Sequence, residues 1–248
     1  MSRPPAKSSF WSRLDPFTYV DEHAMPVLNP WKNEFVSWAI YIVFSFIFAF
    51  ALYSIFGFLL NTATPLVIVV SGSMLPTLSR GDVVLLQGAE GPSLDVPEVI
   101  LDGVDVGNLS LEELADFTPQ GDGSWLLTFT DNGHSVIVPR KGDSDIVVYT
   151  SGHKNLEIIH RAVVKIRSGE SYFVLTKGDN NPSLDQDCGS VSRIYVPGSP
   201  GEQIITSKSC PSPYPIPLSL VKGKALVWVP WLGYVKLLLV DGFASFGG

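Results

Sequence analysis

Ser71-Gly72-Ser73 closes the β-branched run Val67 to Val70, and its two hydroxyls are the first groups in the chain whose type and spacing suit chemistry. A strand that stops here must turn tightly, and Gly72 permits the turn without a Cβ clash. Residues two apart on extended backbone face one side, so Ser71 and Ser73 can converge, one attacking a carbonyl while the other donates. A hydroxyl is a weak nucleophile and needs a base within hydrogen-bond reach. His160 sits in the alternating run Ile158-Ile159-His160-Arg161-Ala162-Val163-Val164-Lys165. Alternation puts it on one face with Ile158, Ala162 and Val164, and puts Arg161 and Lys165 on the other. The imidazole therefore faces inward, as a base or as a satisfied core histidine. His134 and His153 fall at a turn and in a polar loop, and His23 lies far upstream. Asp179 and Asp185, in Thr176-Lys177-Gly178-Asp179-Asn180-Asn181-Pro182-Ser183-Leu184-Asp185, supply carboxylates that could hold an imidazole in the useful tautomer. Ser-Gly-Ser and Lys-Gly-Asp-Asn are also ordinary turn sequences, so these segments alone admit a reading without chemistry.

The elements that must position these groups begin with an anchor. No charged residue occurs from Phe35 to Leu60. A helix of about 26 such residues reaches about 39 Å, enough to cross a hydrocarbon core of about 30 Å with tilt. It is too long and starts too late for a cleavable leader. Arg3, Lys7, Arg13 and Lys32 precede it and no basic residue follows before Arg80. The positive-inside bias then puts the amino terminus in the cytoplasm and the remainder outside. Beyond the anchor come short runs rich in β-branched residues: Val83 to Leu86, Trp125 to Thr130, Ser135 to Val138, Asp145 to Tyr149, Ile158 to Ile166 and Tyr172 to Thr176. Turn residues separate them, which predicts a mainly β domain.

The expected organisation is a polar tail over 1–34, a transmembrane anchor over 35–60, and an extracytoplasmic β domain over 61–87 and 124–224. An acidic insertion over 88–123 interrupts that domain, and an apolar membrane-proximal segment over 225–248 ends it. Ser110-Leu111-Glu112-Glu113 in the insertion reads as a capping box. Asn108-Leu109-Ser110 matches the short glycan-acceptor pattern. In the last segment Trp228, Trp231 and Tyr234 suit a bilayer interface, and core packing is the alternative.

Composition removes some classes. The formal charge is −7, and no Lys or Arg occurs from Gly81 to Pro139. Nucleic-acid binding, which needs cations to replace counterions, is therefore not expected. Cys188 and Cys210 are the only cysteines. Outside the cytoplasm a disulfide fits them, and two free thiols fit as well. Asp185 and Asp187 lie near, but no His-Cys spacing supports zinc, and no metal or cofactor is expected.

Ser-Gly-Ser-Met-x-Pro-Thr-Leu followed by Arg80-Gly81-Asp82, then Ile159-His160-Arg161, then Leu175-Thr176-Lys177-Gly178-Asp179-Asn180-Asn181 resembles the type I signal peptidases. A histidine where bacterial relatives carry lysine resembles the endoplasmic-reticulum and archaeal branch. The resemblance covers Pro65 to Leu86, Asp145 to Asp185 and the Val-Pro-Trp-Leu-Gly run. It implies a signal-peptidase-like β-barrel or sheet domain on a single N-terminal transmembrane helix. It also implies Ser73 as nucleophile, His160 as general base, Asp185 as its orienter and Asp179 as structural or auxiliary. The Ser73 N–H, with the Ser71 hydroxyl, would hold the oxyanion. Met74 and Pro76 would shape the turn, and Asp82 would brace it. The implied substrates are pre-protein signal peptides, cut after a small residue. The implied partners are the lipid bilayer and a secretion translocon or accessory subunits. The implied location is the cell membrane, or the endoplasmic reticulum membrane in a eukaryote. Two other readings are a self-cleaving repressor-type protease, disfavoured by its lysine base and DNA-binding module, and a catalytically silent anchored β module that binds secretion partners.

Overall fold

The computed structural model describes residues 15–122, 124–139, 142–152, 155–195 and 202–238, and the chain divides into two units, 1–59 and 60–248. His153 and the basic residues Arg3, Lys7 and Arg13 lie outside the described residues.

In the first unit, helical turns over Pro16–Tyr19, Val20–Ala24 and Met25–Leu28 precede the long helix α1, Glu34–Leu59. Asn33 starts α1 as a side-chain cap, its Oδ1 accepting the N–H groups of Phe35 at 2.9 Å and Val36 at 3.3 Å. Asn29 ties the preceding turn to this cap, donating to the Asn33 carbonyl at 2.7 Å and to Ser37 Oγ at 2.9 Å. No residue of α1 is buried, although nearly all are apolar. A helix apolar on every face and unburied within its own chain suits lipid and not a protein core. It is the one helix among the described residues long and apolar enough to cross a membrane.

The second unit is mainly β. Its principal sheet runs β1 (Leu66–Ile68), β2 (Val83–Gln87), β13 (Val221–Val229), β7 (Ile146–Ser151), β8 (Leu156–Ser168), β9 (Ser171–Lys177) and β12 (Ile216–Pro217). β3 (Glu98–Ile100) adds to β8 in parallel, and every other pairing in this sheet is antiparallel. A second sheet holds β4 (Ala115–Pro119), β5 (Trp125–Phe129) and β6 (Ser135–Val138), and β10 (Val191–Tyr195) pairs with β11 (Glu202–Thr206).

The stretch from Gly88 to Gly123 is therefore built into the domain. β3 extends the main sheet, and β4 pairs with β5 across the expected boundary. The capping box forms as its sequence dictates: Ser110 N–H and Oγ both reach Glu113 Oε2 at 2.8 Å and start the short helix α2, Leu111–Leu114. Leu111, Leu114, Leu127, Phe129, Val138, Val164, Ile166 and Leu175 then share one core.

One irregularity revises the expected alternation of β8. Its pairing with β9 shifts register between Ala162 and Val164. An extra residue inverts the faces downstream of it. Lys165 pairs with Val174 and so lies on the His160 face, whereas Val164, opposite Leu175, turns to the other. Lys165 is buried there, and its ammonium donates to the carbonyls of Gly91 at 2.9 Å and Leu94 at 3.3 Å and pairs with Glu98 at 3.0 Å. This buried cation fastens the acidic segment to the sheet.

Candidate active site

β1 leads into the Ser71-Gly72-Ser73 segment. Past Ile68 the pairing continues by Val69 N–H to the Asp82 carbonyl at 2.9 Å and Gly81 N–H to the Val69 carbonyl at 2.8 Å, and then the backbone coils. Leu75 N–H returns to the Gly72 carbonyl at 3.2 Å and Leu78 N–H to the Met74 carbonyl at 3.0 Å. Ser71 and Ser73 therefore meet across a turn and not along a strand, with their hydroxyl oxygens 3.1 Å apart. Gly72 is not required by a left-handed φ, and an added Cβ would sit 3.3 Å from Leu75 Cδ1, a tight but not prohibitive contact. Met74 and Leu78 anchor the turn in a core with Val69, Val84, Ile146 and Val148.

Asp82 braces both ends of this segment: its Oδ2 accepts Ser79 N–H at 2.8 Å and its Oδ1 accepts Trp231 N–H at 3.1 Å. The Val-Pro-Trp-Leu-Gly run packs here. Gly81 has φ +91°, and a Cβ on it would lie 2.4 Å from the Tyr234 ring. Trp231 and Leu232 within that run are exposed, and beyond it Leu237 is buried while Val235 and Leu238 are exposed.

β7, β8 and β9 position the other groups, and their register separates two aspartates that the sequence leaves alike. Val147 is opposite His160, Tyr149 opposite Ile158 and Thr176 opposite Ala162. Directly opposed residues share a face, so Tyr149, His160 and Thr176 lie on one side of the three strands. Ile146 and Lys177, both opposite Arg161, lie on the other.

The turn after β9 serves both sides. Asp179 goes to the Arg161 face, where it accepts from Arg161 Nε and Nη2, each at 2.8 Å, and from Thr77 Oγ1 at 2.6 Å. Burial acts to raise the Asp179 pKa, but the hydrogen bonds from Arg161 and Thr77 and the charges of Arg161 and Lys177 outweigh it and leave the carboxyl below its usual range. Asn180 donates its N–H to the Ser73 carbonyl at 2.8 Å and its Nδ2 to the Gly72 carbonyl at 3.2 Å. Gly178 must be small, since a Cβ would stand 2.7 Å from the Ser73 carbonyl oxygen. Asp179, Asn180 and Gly178 thus form a clamp on the turn that carries Ser71 and Ser73, with no contact to His160 through Asp179.

Asp185 returns the chain to the His160 face. Its N–H reaches the Thr176 carbonyl at 2.8 Å and its carbonyl accepts Ser212 N–H at 3.2 Å. Its Oδ2 lies 2.6 Å from His160 Nδ1, and His160 Nε2 lies 2.9 Å from Ser73 Oγ. His160 and Asp185 are 5% and 1% exposed, so the pair works in a largely water-free setting. A carboxylate only accepts, so Nδ1 carries the proton and Nε2 is left to accept from the Ser73 hydroxyl. The Ser73 N–H has no acceptor among the described residues, so it remains available to an oxyanion.

Ser73 and His160 open onto a groove walled by Val67, Val70, Val148 and Ile158. Among the described residues β1 pairs only with β2, and no described strand covers its other edge beside this groove. His134 and His23 are outside the constellation. Among the described residues no cluster of His, Cys, Asp and Glu could hold a metal. Cys188 and Cys210 form a disulfide just beyond Asp185.

Sequence reasoning did not single out Tyr149, Thr176, Asn180 or Thr77 as neighbours of these groups. Alternation along Asp145 to Tyr149 could have flagged Tyr149 once its register against β8 was known.

No family model matches this sequence. The signal peptidase complex catalytic subunit SEC11 of Verticillium alfalfae is 25% identical over 193 residues, spanning 78% of this chain and 74% of that protein. Its namesake in Fusarium vanettenii is also 25% identical over 193 residues. That of Candida tropicalis is 24% identical over 193 residues, 78% of this chain and 76% of that protein. The order of the serine, histidine and aspartate motifs and the mainly β domain behind one apolar helix go with this likeness, so that over most of its length the chain is similar to the catalytic subunits of signal peptidase complexes.

Proposed function

We propose that the protein is a membrane-bound serine endopeptidase that removes N-terminal signal peptides from secreted pre-proteins by a Ser-His-Asp mechanism. The observation that carries this is the continuous path from Ser73 Oγ through His160 to Asp185 Oδ2, with links of 2.9 and 2.6 Å. The edge of β1 that no described strand covers supports it further, because an extended peptide can add there as a strand and lay its carbonyl beside Ser73.

In this reading His160 Nε2 takes the Ser73 proton as Oγ attacks the scissile carbonyl. The oxyanion is held by the Ser73 N–H and the Ser71 hydroxyl, a donor of this kind contributing about 3 kcal/mol to the barrier. The imidazolium, stabilised by Asp185, gives its proton to the leaving amine, and the mature chain departs. Water, deprotonated by His160, then cleaves the ester and frees the signal peptide. Asp179 serves as a structural brace on the nucleophile turn.

The basic residues ahead of α1 favour a cytoplasmic amino terminus and an extracytoplasmic catalytic domain. The short link between the anchor and Ser73 favours a site near the outer membrane surface, where a signal helix ends. Exposed Trp231, Leu232 and Val235 fit contact with that surface. The relatives are named as subunits of a complex, and accessory subunits belong to this proposal.

The test is pre-protein processing in liposomes by the full chain and by Ser73→Ala and His160→Ala. Cleavage by the wild type alone is expected. Normal processing by either variant would overturn the assignment, and a wild type inert in every lipid would favour an anchored binding module.

A further inference from the structure

Asp185 is held by more than the histidine it orients. Its Oδ2 accepts from three donors: His160 Nδ1 at 2.6 Å, Tyr149 Oη at 2.9 Å and Thr176 Oγ1 at 2.7 Å. Its Oδ1 is buried with no partner among the described residues. All the hydrogen bonding of the carboxylate is thus concentrated on the one oxygen that faces the imidazole. Tyr149 and Thr176 are both fully buried, and both come from the strand face that carries His160. Burial and then the Asp185 charge push the Tyr149 pKa up, so its hydroxyl stays protonated and donates.

We infer that Tyr149 and Thr176 are positioning residues for the proteolytic reaction, acting through Asp185 to fix its rotamer and to lower the basicity of His160. The inference rests on the proposed Ser73–His160–Asp185 mechanism. A carboxylate oxygen that shares its lone pairs with two hydroxyls is a weaker acceptor for Nδ1–H. It therefore stabilises the imidazolium less than a bare carboxylate would. The carboxylate still selects the tautomer with its proton on Nδ1. Other charged or titratable groups packed around these strands are Lys165 on the His160 face with Glu98, the Asp145–Lys224 pair beside β7, the Arg161–Asp179 pair, Lys177 on β9 and, at the groove, Glu157, which pairs with Lys222. None of them contacts the Asp185 carboxylate, so substitutions at Tyr149 and Thr176 change its acceptor strength directly.

The test uses the full chain in liposomes with a synthetic pre-protein. The dependence of kcat/KM on pH is measured for the wild type, Tyr149→Phe and Thr176→Val. In parallel, the His160 ring is titrated by 15N NMR in a Ser73→Ala background, its signal assigned by loss in His160→Gln. Removing either donor should move the acid limb and the ring titration upward together, by about half a pH unit to one unit. Phe and Val keep the packed volume, and thermal melting checks that each variant is folded. A lower rate with both the limb and the ring titration unmoved would overturn the inference and leave only packing. Cleavage that survives Ser73→Ala would instead overturn the proteolytic reading, and the ring titration would still judge the coupling of Tyr149 to His160.

Discussion

Replacing Asp185 and Asp179 by asparagine, one at a time, should produce opposite failures. Asp185→Asn keeps the shape but puts an amide between His160, Tyr149 and Thr176. The NH2 end of that amide cannot accept, and if it turns toward the imidazole it forces the proton from Nδ1 to Nε2, where it blocks removal of the Ser73 proton. A triad with the wrong tautomer loses about 10⁴ in kcat, which is about 5.5 kcal/mol of barrier. Stability should fall less than for Asp179→Asn, because the amide oxygen can still accept from Tyr149 and Thr176 and no arginine loses its counter-charge. Asp179→Asn leaves the 2.9 and 2.6 Å links intact but strips a buried Arg161 of its counter-charge, the Arg161 and Asp179 side chains being 7% and 2% exposed. Removing one partner of a buried pair costs about 3 kcal/mol or more, or roughly 10 °C in melting temperature for a unit of this size. Activity per folded molecule should fall far less than for the Asp185 variant. Initial-rate processing below the melting temperature, with calorimetry on the same samples, separates the two effects. A stable, inactive Asp179→Asn beside an active Asp185→Asn would refute the assignment of the two faces.

Further predictions concern the supports of the site. Gly178→Ala should cut processing by about tenfold or more by pushing the Ser73 carbonyl, since a misplacement near 1 Å can cost about a hundredfold; an unchanged rate would show that the clamp on the nucleophile turn yields freely. The Asp179 pKa is lowered on folding. Its stabilising contribution should thus be complete above the unfolded carboxylate value of about 3.9 and be lost as pH falls through the lower folded value. Urea melts across that acid window should show a shallower pH dependence for Asp179→Asn. The Cys188–Cys210 disulfide closes a loop with a sequence separation of 22. Its double replacement by serine should cost about 3 kcal/mol in the chain-entropy model, read from the denaturant midpoint and slope together, since the freed unfolded chain exposes more surface.

Much of the β domain was legible because its strands alternate or run apolar between turn residues, and β2, β5, β6, β7, β8 and β9 lie where those runs predict. β3 and β4 were not, since Glu98–Ile100 and Ala115–Pro119 are short, lie in acidic surroundings and are defined by their partners. The inward aim of His160 followed from period-two patterning, whereas the placement of Lys165 on the same face depends on a bulge that no pattern announces. The two aspartates share one turn-rich segment, and sequence spacing cannot tell which strand face each one reaches. The register of β7, β8 and β9 and the course of the loop decide it, sending Asp179 to Arg161 and Asp185 to His160. Ser71 and Ser73 converge as expected, but through a turn whose geometry is set by downstream hydrogen bonds from Leu75, Leu78 and Asn180.

Rapid-quench mass spectrometry of the protein mixed with a pre-protein in liposomes, at low pH where deacylation is slowed, tests the acyl-enzyme itself. A transient adduct equal in mass to the signal peptide less water is expected, mapping by fragmentation to Ser73 and absent from the Ser73→Ala variant. An adduct on another residue, or cleavage by Ser73→Ala, would rule out Ser73 as the nucleophile.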